Sequence, residues 1–270
     1  MTAPIALPTT DPRIRAEVAG RVGTLVIDNP ARRNALAYGM WLAIPAAIDA
    51  LVAHPDVRVI VVRGAGELAF VSGADISEFD TLRKDSKSAQ AYEISNARAF
   101  AAVRDAGKPT IAMIRGFCLG GGMGLAVACD LRIGADDAVF GIPAARLGVG
   151  YPPDCMRDVV NAVGPQRAKE LFFTARRLTG TEAACLGFLI KAVPVAELEA
   201  ETATLAATIA DNAPLTIRAA KAAIDACVGD PAAADWARVT ALAEACFDSD
   251  DFAEGRTAFL SKRAPVFKGE

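Results

Sequence analysis

An α/β core followed by a helical C-terminal module is the fold class this sequence predicts. Three observations carry that expectation. β-rich runs alternate with helix-period segments through the first two-thirds of the chain. Residues 57–63 (VRVIVVR) are apolar nearly throughout, as in a strand covered on both faces. From about Asp154 onward almost every segment has helical spacing.

The elements follow in order. Residues 1–11, with two prolines, read as a loose tail. Residues 14–18 and 24–27 are β-rich and flank a glycine-containing hairpin turn. Residues 36–52 carry apolar positions at helical spacing, with Pro45 as a tolerated kink. Residues 69–72 form a short strand, and 87–105 a helix stopped by Gly107 and Pro109. Residues 110–115 form a strand that ends at Gly116, and 123–129 a buried helix. Short strands follow at 131–135 and 138–140, with a last one near 187–194. Helices are expected at 156–163, 165–174, 181–186, 195–212, 214–228, 233–247 and 250–262. The expected division is a core over 1–200 and a helical module over 201–270.

Composition narrows the function. With 270 residues, 53% of them hydrophobic and a net charge of −3, nothing suggests nucleic acid or a membrane as partner. No apolar run is long enough to span a bilayer and no leader is recognisable, so the cytosol is the expected location. The six cysteines lack CxxC spacing, which argues against zinc and disulfides and for small buried hydrophobes. One histidine, His54, in a polar helix-end context, leaves little room for a Ser-His-Asp triad.

The richest local signal is Gly116-Phe117-Cys118-Leu119-Gly120-Gly121-Gly122, a strand running into glycines and then a buried helix. The first N–H groups of such a helix lack intrahelical partners and sit at its partially positive end, a seat for an oxyanion or phosphate. No lysine and hydroxyl follow Gly122, against a nucleotide P-loop, and Leu125 breaks a dinucleotide fingerprint. Plain close helix packing stays open as an alternative. The second signal is Phe70-Val71-Ser72-Gly73-Ala74-Asp75-Ile76, where a strand ends, turns at Gly73 and enters a short helix. The Ala74 N–H would be a second free donor. Two such donors converging on one point form an oxyanion hole, and losing one costs about 10²–10³ in rate.

Asn29-Pro30-Ala31-Arg32-Arg33-Asn34-Ala35-Leu36 resembles the N-P-x-x-x-N-A-L segment of the enoyl-CoA hydratase/isomerase (crotonase) superfamily. Residues 70–76 resemble its A-F-x-x-G-A-D-[IL] segment, 116–122 its G-x-x-x-G-G-G segment, and 259–269 its F-x-x-K-R-x-P-x-F-x-G ending. The resemblance runs from about residue 14 to 269. It implies a crotonase-like spiral of ββα turns with a helical C-terminal trimerisation module, and a homotrimer or dimer of trimers. It implies an acyl-CoA thioester as ligand, with no separate cofactor because coenzyme A is part of the substrate. Ala74 and Gly121 would donate the oxyanion N–H groups. Arg33, Ala35, Leu36, Ser72, Asp75, Ile76 and Gly120 would line the coenzyme site. Phe259 and Lys262 would approach the coenzyme of a neighbouring subunit. Plainer readings are a solvated charge for Arg33 and a helix-end dipole partner for Lys262.

Two departures matter. Family hydratases place a glutamate two positions after the third glycine, where this chain has Gly124. They place a second after the proline of an F-x-x-P-E segment, where Phe140-Gly141-Ile142-Pro143 leads to Ala144. Adding water needs one group to activate it and one to deliver a proton; glycine and alanine do neither. Tyr151 and Asp154, in the turn that follows, are the candidate replacements. Asp154 would act as a single base or cap the helix starting near Cys155. Tyr151 would hydrogen-bond a leaving group or carboxylate, as a tyrosine does in a family decarboxylase, or simply line the pocket. Asp75 reads as a helix cap and Glu78 as a solvated acid. The expectation is an enzyme working through a thioester enolate without the two-glutamate mechanism. The alternative is a non-catalytic acyl-CoA-binding protein.

Overall fold

A computed structural model describes residues 3–151, 153–230 and 232–270, with Asp154 described by its backbone only. The seven-stranded sheet runs in the order β1 (Ile5–Leu7), β2 (Ile14–Ala19), β3 (Val22–Ile27), β4 (Val59–Gly64), β6 (Thr110–Ile114), β8 (Leu131–Ala135), β11 (Lys191–Val193). Its first two pairings are antiparallel and the rest parallel. The second sheet has four strands, ordered β10 (Arg177–Thr179), β9 (Val139–Gly141), β7 (Phe117–Leu119), β5 (Ala69–Val71).

The parallel pairings require crossovers, and helices supply them. These are α1 (Tyr38–Ala53), the short α2 (Phe79–Leu82), α3 (Ser86–Arg104), α4 (Gly121–Ala128), α5 (Ala144–Leu147), α6 (Pro153–Thr174) and α7 (Gly180–Cys185). The chain ends with α8 (Leu198–Asp211), α9 (Pro214–Val228), α10 (Trp236–Phe247) and α11 (Asp250–Leu260).

Strand β4 is covered on both faces, as its composition predicts. Ile60 and Val62 join the main core, while Val59 and Val61 pack against Ala206 and Ala210 of α8. Helix α1 keeps Pro45 and still buries Trp41, Ile44, Ile48 and Leu51.

The N-terminal tail is more ordered than expected. Ile5–Leu7 pairs antiparallel with Ala16, Glu17 and Val18, completing the sheet edge. The expected strand 110–115 is β6, and past the turn at Gly116 an unanticipated strand, β7, joins the other sheet. The helices expected separately at 156–163 and 165–174 are the two halves of α6, divided at Gly164, whose backbone (φ 77°, ψ 161°) is not helical. The cysteines divide: Cys118, Cys129 and Cys155 are buried, but Cys185 and Cys227 are exposed and Cys246 is half-buried. The latter three belong to α7, α9 and α10, which turn outward faces to solvent in the single chain. Among the described residues, no helix is long and apolar enough to cross a membrane, and no group of three or more His, Cys, Asp or Glu could hold a metal.

Candidate active site

The Ala74 turn is stitched to the Leu36 segment. The Leu36 N–H donates to Gly73 O (2.9 Å) and Asp75 N–H donates to Leu36 O (2.9 Å), a parallel bridge centred on Ala74. In such a bridge the middle residue's own N–H and C=O point the other way. Gly73, at φ 116°, makes the turn, and few side-chain-bearing residues adopt that conformation. No described acceptor takes the Ala74 N–H.

Gly121 opens α4. Its N-cap, Gly120, sits at φ 52° and ψ −114° and donates its own N–H to Gly141 O. That leaves the Gly121 N–H among the orphan donors of the helix start, again with no described acceptor. A Cβ placed on Gly121 would stand 3.8 Å from the Ala74 nitrogen, and one on Gly73 would stand 3.9 Å from the Gly121 nitrogen. The two donors are neighbours, and both residues line one pocket of about 690 Å³ counting its open mouth.

Tyr92 of α3 holds both of them. Trp41 packs on the Gly121 backbone, 3.0 Å from where a Cβ would lie, and its Nε1–H donates to the Tyr92 hydroxyl (3.1 Å). That hydroxyl donates in turn to Leu36 O (3.4 Å), the carbonyl that flanks Ala74. Burial pushes the Tyr92 phenol up to about 12, so it stays a neutral relay of hydrogen bonds.

The pocket walls are largely apolar, with Trp41, Ile76, Phe79, Phe100, Leu147 and Val149. Besides Ser72, the polar side chains Tyr151, Arg83, Glu93 and Asn96 interrupt them. Tyr151 packs edge-on against Phe172 (5.2 Å between centroids), and its hydroxyl would lie 3.6 Å from a Cβ on Gly120. Burial pushes the Tyr151 phenol up to about 12, and no described group hydrogen-bonds to it. Arg83 lies over the rings of Phe79 (4.6 Å) and Tyr92 (5.1 Å) and is ion-paired with Glu93. Burial raises the Glu93 carboxyl above its ordinary value, against the opposing pull of Arg83. Asn96, 8% exposed, keeps a buried Oδ1 with no donor among the described residues. Sequence reasoning missed Arg83, Glu93 and Asn96. The signal available was the 93, 96, 100 spacing on one helical face, ending at a buried phenylalanine.

At the two positions where family hydratases carry glutamate, the space is occupied or apolar. A Cβ on Gly124 would meet the Phe100 ring at 2.6 Å, so that ring fills the glutamate's volume. Ala144 lines the pocket with a methyl group. Of the proposed replacements, Tyr151 is in the pocket, whereas the Asp154 side chain lies outside the described residues. Because α6 starts at Pro153, residue 154 falls within its first turn and not at its cap.

Ser72 and Ile76 line the pocket mouth with Ala74. Arg33 and Ser72 are joined by the Ser72 N–H donating to Arg33 O (3.1 Å), beside buried Ala35 and Leu36. Arg33 is exposed, at φ 51°, with its guanidinium 5.1 Å from the Phe117 ring centroid. Asp75 caps its short helix through Ser77 N–H (3.0 Å) and pairs with Arg32 (3.2 Å). Burial works against the ionised form, but the Ser77 hydrogen bonds and the Arg32 charge hold the carboxyl below its usual range. Glu78 is not simply solvated: it accepts the Tyr38 N–H (2.8 Å) and caps α1, whose N-cap residue, Ala37, has no side-chain acceptor. Phe259 (83% exposed) and Lys262 (φ 52°) stand at the end of α11, outside this pocket.

Residues 17–270 match the family model described as Enoyl-CoA hydratase/isomerase. A crotonyl-CoA hydratase from Syntrophomonas wolfei is 34% identical over 251 residues, covering 92% of this chain and 94% of that protein. A peroxisomal Delta(3,5)-Delta(2,4)-dienoyl-CoA isomerase from Arabidopsis thaliana is 32% identical over 94% of this chain and 95% of its own. A crystal structure of an enoyl-CoA hydratase/carnithine racemase from Magnetospirillum magneticum superposes with a TM-score of 0.90 at 35% identity, covering 97% of each chain. The spiral fold, the paired glycine turns and these likenesses together place the chain in the enoyl-CoA hydratase/isomerase family.

Proposed function

We propose that this protein is an acyl-CoA enzyme that binds the thioester carbonyl oxygen between the Ala74 and Gly121 N–H groups and works through the resulting enolate. The observation that carries this reading is the pair of adjacent main-chain donors, both without an acceptor among the described residues, in one pocket. Donors fixed by a parallel bridge and a helix start need no reorganisation as charge develops on the oxygen, which is what makes such a site catalytic. The chemistry is a proton shift or bond cleavage next to the carbonyl, not hydration by two glutamates. Gly124 and Ala144 can neither activate water nor deliver a proton. In this reading the Tyr151 hydroxyl, 3.6 Å from where a Cβ on Gly120 would lie, hydrogen-bonds a group departing from, or attached to, the α-carbon. Arg33, Ala35, Leu36, Ser72, Asp75, Ile76 and Gly120 border the coenzyme, with Phe259 and Lys262 serving a neighbouring subunit's ligand. The cytosol is the proposed location.

The same two substitutions favour a second reading, a binding protein without turnover. One experiment separates them. Enoyl-, dienoyl- and malonyl-type thioesters are screened for turnover while affinity is measured by calorimetry. Turnover of at least one supports the enzyme. Tight binding with no turnover supports the binder. No affinity for any thioester rejects both.

A further inference from the structure

The geometry points to Glu93 as the catalytic base, a proton carrier supplied by helix α3 in place of the carboxylates missing from α4 and α5. This assignment rests on the enolate reading above and gives it a residue.

An enolate forms only if some group takes the α-proton. Among the described side chains that line the pocket, the titratable ones are Arg83, Glu93, Tyr151 and Cys155. Arginine does not deprotonate in proteins. Burial holds the Tyr151 phenol neutral. Cys155 is a buried thiol already interacting within the protein. Glu93 is the carboxylate that remains.

It lines the same pocket as the two donors. Glu93 follows Tyr92, whose hydroxyl links Trp41, packed on Gly121, to Leu36 O, beside Ala74. On α3, Glu93, Asn96 and Phe100 share the face that lines the pocket. The last of these is the ring that excludes a side chain at position 124. One helix face thus closes the family's usual carboxylate position and presents another carboxylate to the same cavity. Arg83, held over Phe79 and Tyr92, is the positioning residue: it orients Glu93 and favours its ionised form against the pull of burial.

The step balances without a further reactant. The Glu93 carboxylate takes the α-proton, the C–H pair becomes the enolate, and the oxygen's charge rests on the two N–H groups. Returning the proton to the α-carbon exchanges it. Returning it to the γ-carbon of a β,γ-unsaturated thioester moves the double bond.

The test uses butyryl-CoA in deuterated water, with deuterium at the α-carbon read by mass spectrometry for the wild type, Glu93→Gln, Asp154→Asn and Arg83→Met. Wild type is expected to incorporate deuterium, and Glu93→Gln to lose about 10²-fold or more in rate with unchanged butyryl-CoA affinity. Wild type that does not exchange overturns the enolate reading itself. Exchange that survives in Glu93→Gln, or is lost only in Asp154→Asn, overturns Glu93 while leaving that reading intact. The pH profile is independent of whether Glu93→Gln folds well. Arg83, Tyr92 and Tyr151 are the groups facing Glu93, and of these only Arg83 is charged at neutral pH. Removing that cation raises the base's pKa, so the acidic limb of exchange moves to higher pH in Arg83→Met. A limb that does not move contradicts the assignment.

Discussion

Phe100 fills the volume into which a side chain at Gly124 would grow, its ζ carbon 2.6 Å from where a Cβ would lie. The ring is wedged edge-on against Trp41 (5.4 Å between centroids) and is 5% exposed, so it has little freedom to retreat. Gly124→Glu alone therefore overpacks the core, at a cost of about 1–3 kcal/mol, and gains no hydration of crotonyl-CoA. Adding Phe100→Ala relieves the clash. The triple change with Ala144→Glu is the variant expected to show measurable hydratase activity. Denaturant titration and a hydration assay check both halves.

Tyr92→Phe removes one oxygen and two hydrogen bonds. Trp41 Nε1 loses its acceptor in a fully buried site, and Leu36 O loses one of its two donors. A destabilisation of about 1–3 kcal/mol follows from the stranded indole N–H. The catalytic effect falls on kcat and not on thioester affinity, because the variant loosens the donors' alignment without touching the coenzyme. Equal kcat in Tyr92→Phe and wild type would show that the two donors hold their positions unaided.

Asn34 explains why the N-P-x-x-x-N-A-L segment needs its second asparagine. It is 1% exposed at φ 57°, a conformation asparagine tolerates better than most residues. Its Nδ2 donates to Ala65 O (2.9 Å) and Ala69 O (2.7 Å), and its Oδ1 accepts the Asn29 N–H (3.0 Å). It ties the loop before α1 to both ends of the β4–β5 connection. Asn34→Ala strands two carbonyls and an N–H at once, and a loss of about 3 kcal/mol or more is expected by chemical denaturation. Asn34→Asp keeps the size and one acceptor but still loses both donations, so it should fare little better.

Much of this architecture was legible from residue pattern. Helix α9 begins and ends at the expected Pro214 and Val228 because proline suits a first helical position and Gly229 follows the last apolar residue. The hairpin β2–β3, the doubly covered β4 and both glycine turns follow equally from local chemistry. The strands that escaped, β1, β7 and β10, are three residues each, and partners distant in sequence determine whether they pair at all. The polar part of the pocket was illegible for a related reason. Arg83 and Glu93, in or beside a helix rich in polar residues, carry no local mark of burial. Only the packing of α3 over Trp41 and Gly124 brings them inside.

The C-terminal helices leave Ile224, Val228, Trp236, Phe247, Phe252, Phe259 and Leu260 exposed on the single chain. So many large apolar side chains in one module exceed what an isolated surface usually carries. Self-association through this module is expected, with a mass by light scattering of three or six times 28.1 kDa. Charged substitutions at Trp236 and Phe252 should shift that mass toward one chain. A monomeric wild type at micromolar concentration would contradict the expectation.

Tyr151 offers a prediction with a defined pH signature. Its phenol is pushed up to about 12 by burial, so it stays protonated across the working range and donates a hydrogen bond without ever serving as the base. For an acid whose folded pKa lies so far up, no alkaline limb from Tyr151 appears in kcat/KM below about pH 10. Tyr151→Phe should lower kcat by about tenfold, the worth of one hydrogen bond near 1.4 kcal/mol, and leave the shape of the pH profile unchanged. Acyl-CoA affinity should change little, since the substitution keeps the aromatic ring packed edge-on against Phe172. An alkaline limb near pH 8 or 9 that disappears in Tyr151→Phe would mean the phenolate forms within the working range, and Tyr151 would then compete with Glu93 for the role of base.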